Sequence, residues 1–70
     1  MKNAKIGRYG GRICEYALED DDATYADLLA VAGETLKKGE TLTVSGETVR
    51  AKDVFNDEDQ VIIEASTTGA

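Results

Sequence analysis

Thr41–Ala65 reads TLTVSGETVRAKDVFNDEDQVIIEA, and this stretch decides how the rest of the chain can fold. Its first residues alternate apolar and polar side chains up to Ser45-Gly46, a dipeptide typical of hairpin turns. After a short return at Val49, a polar corner leads into the β-branched run Val61-Ile62-Ile63. Alternation and β-branching between turn residues indicate strands. The stretch therefore predicts a hairpin followed by a final, central strand.

The N-terminal third predicts a second hairpin. A strand begins at Ala4-Lys5-Ile6, the paired glycines of Tyr9–Arg12 form a turn, and Ile13–Leu18 returns as the second strand. Alternation puts Ile13 and Ala17 on one face of that strand, and Cys14, Tyr16 and Leu18 on the other. Because both faces carry apolar groups, a bulge or a change of facing near Ala17 is one interpretation. We expect Cys14 to be a buried structural cysteine, since free cysteine is among the most buried residue types.

A short helix is expected after the acidic run Glu19–Asp22. Thr24 fits the N-cap, and Asp27 offers a carboxylate three residues later, as in a capping box. Gly33 stands where a C-terminal cap glycine belongs. One apolar face follows from helical spacing and comprises Tyr25, Leu28, Leu29 and Ala32. A helix of about nine or ten residues is too short to persist alone, so it must pack on the sheet.

The order of elements predicts an α+β fold. One helix would cover one face of a mixed four- to five-stranded sheet, in the order β-β-α-β-β, with the first and last strands parallel in the middle. Glu34–Glu40 would be a loop with Leu36 tucked under the sheet edge, and Asp53–Phe55 a helical turn or kink. We expect a single domain over residues 1–65 and a flexible tail over residues 66–70.

Composition limits the functional classes. The 70 residues include 14 acidic and 8 basic side chains, which gives a net charge of −6 and argues against direct binding of nucleic acid through phosphates. Lys2, Lys5, Arg8 and Arg12 make the start of the chain basic, either as an arm for acidic partners or as ordinary solubilising charges. No apolar run is long enough to cross a membrane. The single cysteine and the lack of a signal-peptide pattern favour the cytoplasm.

Three motifs resemble the ubiquitin-like β-grasp family, especially the small prokaryotic sulfur-carrier proteins of thiamine and molybdopterin biosynthesis. Asp22–Leu29 resembles the start of the family's helix, Thr43–Val49 resembles its hairpin, and Asn56–Ile63 resembles the approach to its last strand. Their order and spacing cover most of residues 4–65. Glu58 stands where the family's acidic turn has a glycine, so that turn is expected to differ slightly in backbone.

The resemblance implies two modes of action. Sulfur carriers and ubiquitin-like modifiers end in Gly-Gly, and an adenylating enzyme activates that terminal carboxylate with ATP. This chain ends Thr68-Gly69-Ala70, so a C-terminally activated carrier or modifier is kept as the alternative. In ubiquitin-like proteins the open face of the sheet is the usual binding surface, and a non-enzymatic protein-binding module is the first hypothesis.

Candidate sites for other chemistry each have a simpler interpretation. The chain has no histidine, the commonest acid–base group and metal ligand. Asp57-Glu58-Asp59 with Asp53, or Glu19–Asp22, could bind a cation, but their spacing favours turns and helix caps. Gly10-Gly11 lacks the following lysine and helix of a phosphate-binding loop, so it predicts a plain turn. We therefore expect no catalytic residues, no metal and no cofactor.

The open sheet face gives the candidate partner-binding residues. If Val61 and Ile63 face the helix, Ile62 must face outward. It would lie beside Tyr9, Arg8 and either Lys5 or Ile6 from the first strand, and this patch would dock a protein partner. The simpler interpretation is that a single exposed isoleucine has no functional role. A third hypothesis, an acidic mimic of nucleic acid that inhibits another protein, rests on the charge of −6 alone.

Overall fold

The computed structural model describes residues 1–65, which form a five-stranded mixed sheet with one helix across one face. The elements are β1 (Lys2–Arg8), β2 (Ile13–Leu18), α1 (Tyr25–Ala32), β3 (Glu40–Val44), β4 (Glu47–Val49) and β5 (Asp59–Ala65). The strand order is β2-β1-β5-β3-β4. The predicted α+β architecture and order of elements are confirmed.

The two central strands are the first and the last in sequence. β1 pairs with β5 in parallel, with Ile6 opposite Val61 and Gly7 opposite Ile62. β2 adds antiparallel to β1, and β3 adds antiparallel to β5. The register between β1 and β2 is continuous from Lys2↔Leu18 to Gly7↔Ile13, so the bulge considered near Ala17 is absent.

Helix α1 begins and ends as its flanking residues dictate. The Thr24 hydroxyl accepts a hydrogen bond from the Asp27 amide, and the Asp27 carboxylate accepts one from the Thr24 amide. Both halves of the capping box are therefore formed, and they satisfy two amides at the helix start. Gly33 ends the helix at φ 72°, a left-handed conformation that favours glycine. The helix has eight residues, slightly fewer than expected.

The core lies between α1 and the inner side of the sheet. Its largest fully buried side chains are Phe55, Leu28, Leu42, Ile63 and Val61. Lys2 is also buried, because its ammonium group lies 4.2 Å from the centre of the Phe55 ring and donates hydrogen bonds to the carbonyls of Ala23 and Phe55. An ammonium with carbonyl acceptors and an aromatic face can be buried at moderate cost. Lys2 thus belongs to the fold, and the basic start of the chain is not one exposed arm.

The loop before β5 is held against the start of α1. The amides of Tyr25 and Ala26 donate to the carbonyls of Asp53 and Ala51, at 3.0 and 2.8 Å. The Asp53 amide in turn donates to the Arg50 carbonyl at 3.0 Å. Residues 51–54 therefore form a turn, a bend at Asp53 and a bridge at Val54, so of the helical turn or kink expected at Asp53–Phe55 the kink is confirmed. These bonds satisfy backbone donors at the helix start.

Two other expectations are wrong. Cys14 is exposed, because β2 is an edge strand and only Tyr16 and Leu18, in its second half, pack against the core. Leu36 is 37% exposed and is not tucked under the sheet edge. The loop is instead fastened by Arg8, which donates a hydrogen bond to the Thr35 carbonyl at 2.9 Å.

Candidate functional site: the outward face of the sheet

The outward face is centred on Ile62 in β5. Its neighbours Val61 and Ile63 are 0% and 1% exposed on the helix side, so alternation along the strand turns Ile62 outward. Ile62 is half-buried between Gly7 of β1 and Thr43 of β3, which lie directly opposite it in the two neighbouring strands. A β-branched side chain therefore lies on the open side of the sheet, in its middle strand.

Gly7 allows the returning hairpin to lie close over this face beside Ile62. A Cβ at position 7 would lie 2.3 Å from the carbonyl oxygen of Arg12 and 2.9 Å from Cγ1 of Ile13. The position therefore requires glycine, because the returning hairpin backbone approaches too closely for a side chain. It also follows that Ile13, which is 39% exposed, lies on the same outward side. Ile13, the buried Gly7 beneath it and Ile62 form the apolar strip, which crosses β2, β1 and β5.

Polar side chains surround the apolar strip. Lys5 is exposed and lies opposite Gln60 in the parallel pair of β1 with β5. Thr43 donates a hydrogen bond to the Glu64 carboxylate at 3.3 Å. Tyr9 follows β1 and is 81% exposed. A small apolar centre with a polar rim is the usual anatomy of a protein-binding surface.

The structure places the residues of the predicted patch on two opposite sides of the sheet. Lys5 lies outward with Ile62, whereas Ile6 is 3% exposed and belongs to the core, because Ala4 and Ile6 alternate onto the helix side. The choice left open between Lys5 and Ile6 is therefore decided for Lys5, and placing Ile6 on this face is wrong. Arg8 shares the alternation of Ile6 and turns to the helix side, so placing it beside Ile62 is also wrong.

Arg8 ties β1 to the loop between α1 and β3. Its guanidinium forms ion pairs with Glu34, at 3.1 Å, and with Glu40. The hydrogen bond to Glu40 raises the pKa of Arg8, and the same bond, with a second from the Lys37 amide, lowers the pKa of Glu40. Both charges are thus favoured in the folded state. Arg8 is a structural ion-pair residue rather than a free docking cation.

An open groove of about 500 Å³ lies where β5 ends, and its lining residues are Arg8, Tyr9, Glu40, Ile63, Glu64 and Ala65. The Tyr9 amide donates to the Ile63 carbonyl at 2.9 Å, which fixes the exposed tyrosine beside this exit. The tail predicted over residues 66–70, including Thr68, Gly69 and Ala70, lies outside the described residues.

The acidic turn before β5 uses its carboxylates internally. Asp57 accepts a hydrogen bond from the Asn3 amide at 2.7 Å, and Asp59 accepts one from Asn56 and one from the Tyr25 hydroxyl, both at 2.9 Å. Burial, followed by the Asp59 hydrogen bond, raises the pKa of Tyr25 to about 12. Within residues 1–65, no group of three or more potential ligands is arranged to hold a metal ion.

The sequence contained a signal for one residue that the predicted patch omitted. Ile13 alternates with Ala17, away from Tyr16 and Leu18, and this pattern already put it on a defined face. The role of Gly7 could not be found in this way, because it depends on how closely the Arg12 carbonyl approaches. Assigning the sides of β2 relative to β1 requires the register, which places Gly7 opposite Ile13.

The fold of residues 1–65 is a ubiquitin-like β-grasp. Small archaeal modifier protein 1 from Haloferax volcanii matches with a TM-score of 0.75 at 16% identity, over 96% of this chain and 100% of that one. A Caldiarchaeum subterraneum ubiquitin matches with a TM-score of 0.62 at 20% identity, over 99% and 98%. No protein-family model and no curated protein sequence matches the chain. The likeness therefore lies in the fold.

Among the described residues, no helix is both long and apolar enough to cross a membrane.

Proposed function

We propose that this protein is a small ubiquitin-like module that binds another protein through the outward face of its sheet and has no catalytic activity of its own. The observation that carries this proposal is the apolar strip of Ile13, Gly7 and Ile62. The fold does not need Ile62 for its core, since the core of described residues lies on the helix side. Burying the strip against a partner would gain hydrophobic free energy that folding leaves unused.

Ile62 of the strip is preorganised for binding. Ile62 is held between two paired strands, so little backbone or side-chain entropy remains to be lost on contact. Gly7 is buried beneath Arg12 and Ile13, which fixes the position of Ile13 on this face. Lys5 and Tyr9 would supply contacts at the rim, where a lysine favours an acidic or carbonyl-rich partner.

A matched pair of charge substitutions tests this proposal. Ile62→Glu puts a carboxylate in the middle of the strip, and Thr48→Glu puts one on the same face in β4, where Thr48 lies opposite Thr43. Partners would be isolated from the native cells with the wild-type protein, purified, and titrated calorimetrically with each variant. We expect Ile62→Glu to weaken binding at least about 100-fold, a loss typical of a central interface residue. Thr48→Glu should bind within about threefold of wild type, as a rim position does.

The far-ultraviolet circular dichroism of both variants serves as the folding control and should match wild type. If a purified partner binds Ile62→Glu as tightly as wild type, the partner uses another surface and the proposed site is wrong.

A second function is favoured by the solved structures of similar fold. Two of them are described as a small archaeal modifier protein and a ubiquitin. On this alternative, an adenylating enzyme would activate the C-terminus with ATP, and the protein would serve as a modifier or sulfur carrier. The groove beside Ile63 and Tyr9 lies next to the end of β5, where such an enzyme would meet the domain.

Intact-mass analysis of the protein from its native cells tests this second function. A thiocarboxylate, a conjugate or a trimmed form would support it. An unmodified species in every growth condition would exclude it while leaving the binding module untouched. We infer that either function is carried out in the cytoplasm, because the single cysteine provides no intramolecular disulfide.

A further inference from the structure

The two edges of the sheet differ in length and protection. β4 has three residues, whereas β2 has six and carries neither lysine nor proline nor a bulge. Natural edge strands are usually shortened, bulged, or guarded by such residues, because unpaired backbone groups would otherwise pair with another chain. The single charge within β2 is Glu15. Within residues 1–65, β2 is therefore an open edge suited to pairing.

The hydrogen-bond pattern identifies the free backbone groups of β2. The Tyr9 amide donates to Ile63, and the Asn3 carbonyl accepts from Glu58, so odd-numbered residues of β1 point their backbone groups toward β5. Even-numbered residues of β1 therefore point toward β2, and the register pairs them with the even-numbered residues of β2. The outward row of N–H and C=O groups belongs to the remaining three residues, Ile13, Glu15 and Ala17.

The charges at the two ends of β2 indicate what would pair with it. Arg12 precedes the strand, and the acidic run Glu19–Asp22 follows it. A second copy of β2 placed antiparallel brings each Arg12 to the acidic run of the other chain, and a two-fold axis forms this contact twice. We propose that two copies of this chain associate edge to edge through β2, which joins their sheets into one ten-stranded sheet.

One register satisfies the charges and the hydrogen bonds together. When Tyr16 lies opposite Tyr16 of the second copy, Arg12 lies opposite Asp20, and Glu15 lies opposite Ala17. The outward groups of Glu15 and Ala17 then exchange hydrogen bonds. Shifting the symmetric pairing by one residue would place Glu15 opposite Glu15, a like-charge pair that destabilises a sheet. This interface uses the strand edge and shares Ile13 with the apolar strip, whereas Ile62 in β5 lies two strands away from it.

A charge swap between two variants tests the proposal. Arg12→Glu alone and Asp20→Lys alone should each sediment as the 7.5 kDa monomer, because like charges then meet at both ends of the pairing. An equimolar mixture should form a heterodimer of twice that mass, since both end contacts become complementary. A local effect of either substitution cannot restore association on mixing. Salt of about 0.15 M screens the overall −6 charge beyond about 8 Å and leaves the close pairs.

The wild-type chain and two controls complete the sedimentation experiment. Wild type should shift from monomer to dimer between micromolar and millimolar concentration. Lys52→Glu makes the same change of charge on an exposed loop and should associate like wild type. Ala17→Pro removes an amide that points to the open edge, so it should stay folded by circular dichroism and remain monomeric.

A disulfide reports the register directly. In a Cys14→Ser background, Tyr16→Cys places two cysteines opposite each other in a non-hydrogen-bonded pair with Cα atoms about 4.5 Å apart, within disulfide range. It should form a covalent dimer on mild oxidation at least ten times faster than Glu15→Cys in the same background. A wild-type chain that stays monomeric at millimolar concentration, or a variant mixture that does not associate, would overturn the proposal.

Discussion

Ile62 and Ile63 are neighbours in β5, yet they lie on opposite sides of the sheet. Ile63 is 1% exposed and packs in the core beneath the helix, whereas Ile62 is half-buried on the outward face beside Gly7. A sheet with one covered face therefore divides its apolar residues between a closed core and an open surface. The helix side holds the fold, and within residues 1–65 the outward side retains apolar surface at Ile62 and Ile13.

The largest effect is expected from truncating the two isoleucines separately. Ile63→Ala should lower the free energy of unfolding by about 2–5 kcal/mol, because it leaves a cavity in a closed core. Ile62→Ala should cost about 1 kcal/mol, since a half-buried side chain loses less contact. Urea denaturation at pH 7 measures both values. Equal losses in the free energy of unfolding would contradict the placement of Ile63 in the core and Ile62 outside it.

Gly7→Ala tests whether the outward face depends on close backbone approach. The new Cβ would meet the Arg12 carbonyl at 2.3 Å, so we expect a loss of about 1–3 kcal/mol from forced movement of the hairpin. Gly10→Ala is the control in the same hairpin. Its added Cβ meets nothing within 4 Å, and its φ of 80° accounts for a cost of about 1 kcal/mol. A Gly7→Ala variant as stable as wild type would mean that this approach does not matter.

The helix side also predicts a response to alkaline pH. Tyr25 ionises near pH 10 in the unfolded chain, and its folded pKa is about 12. The raised folded pKa means that this contribution to stability is complete below pH 10 and is lost as the pH rises toward 12. Tyr25→Phe should therefore flatten the fall in stability over that range. Denaturation at pH 8, 10 and 11 measures the free energy of unfolding of both proteins. If it falls with pH as steeply in Tyr25→Phe as in wild type, the raised pKa of Tyr25 does not contribute to stability.

Acid should weaken the ion pair by which Arg8 of β1 binds Glu40, at the start of β3. Arg8 lowers the pKa of Glu40, so this contribution is present above the ordinary glutamate pKa and is lost as the pH falls through the lower folded value. Glu40→Gln should make the fall in stability below about pH 4.5 less steep than in wild type. The matched control is Glu47→Gln, at an exposed position in β4. If both variants follow the same acid profile, the ion pair does not stabilise the fold.

The smallest effect concerns the turn that leads into β5. Glu58 adopts φ 70°, the left-handed conformation that glycine would take at this position. The expected small difference from the family's acidic turn stays a prediction, and the glutamate carries the strain of the left-handed conformation. Glu58→Gly should stabilise the protein by about 0.5 kcal/mol, whereas Glu58→Ala should not, because alanine keeps the Cβ. Thermal denaturation of the two variants decides between them.

Much of the fold could be predicted from local patterns. The capping box of Thr24 and Asp27, the hairpin at Ser45-Gly46 and the central position of Val61–Ile63 each follow from neighbouring residues. Lys2 could not be placed in this way, because its burial depends on Phe55, which is more than fifty residues away. Long-range contacts of this kind are set by topology rather than by local propensity.

The candidate site was predicted only in part for the same reason. Alternation within β5 put Ile62 on the outward face correctly, since it needs no information from another strand. Assigning Arg8 and Ile6 required knowing which side of β1 faces the helix, so alternation alone left the choice between Lys5 and Ile6 open. The ion pairs of Arg8 with Glu34 and Glu40 join parts of the chain that only the fold brings together.

A backbone amide NMR titration of the protein with a partner isolated through the wild-type chain tests whether the outward face of the sheet is the binding surface. The largest shift changes should fall on Lys5, Gly7, Ile13 and Ile62, while the amides of α1 stay unchanged. Shift changes concentrated on α1, with the amides around Ile62 unmoved, would contradict the claim that the outward face of the sheet is the binding surface.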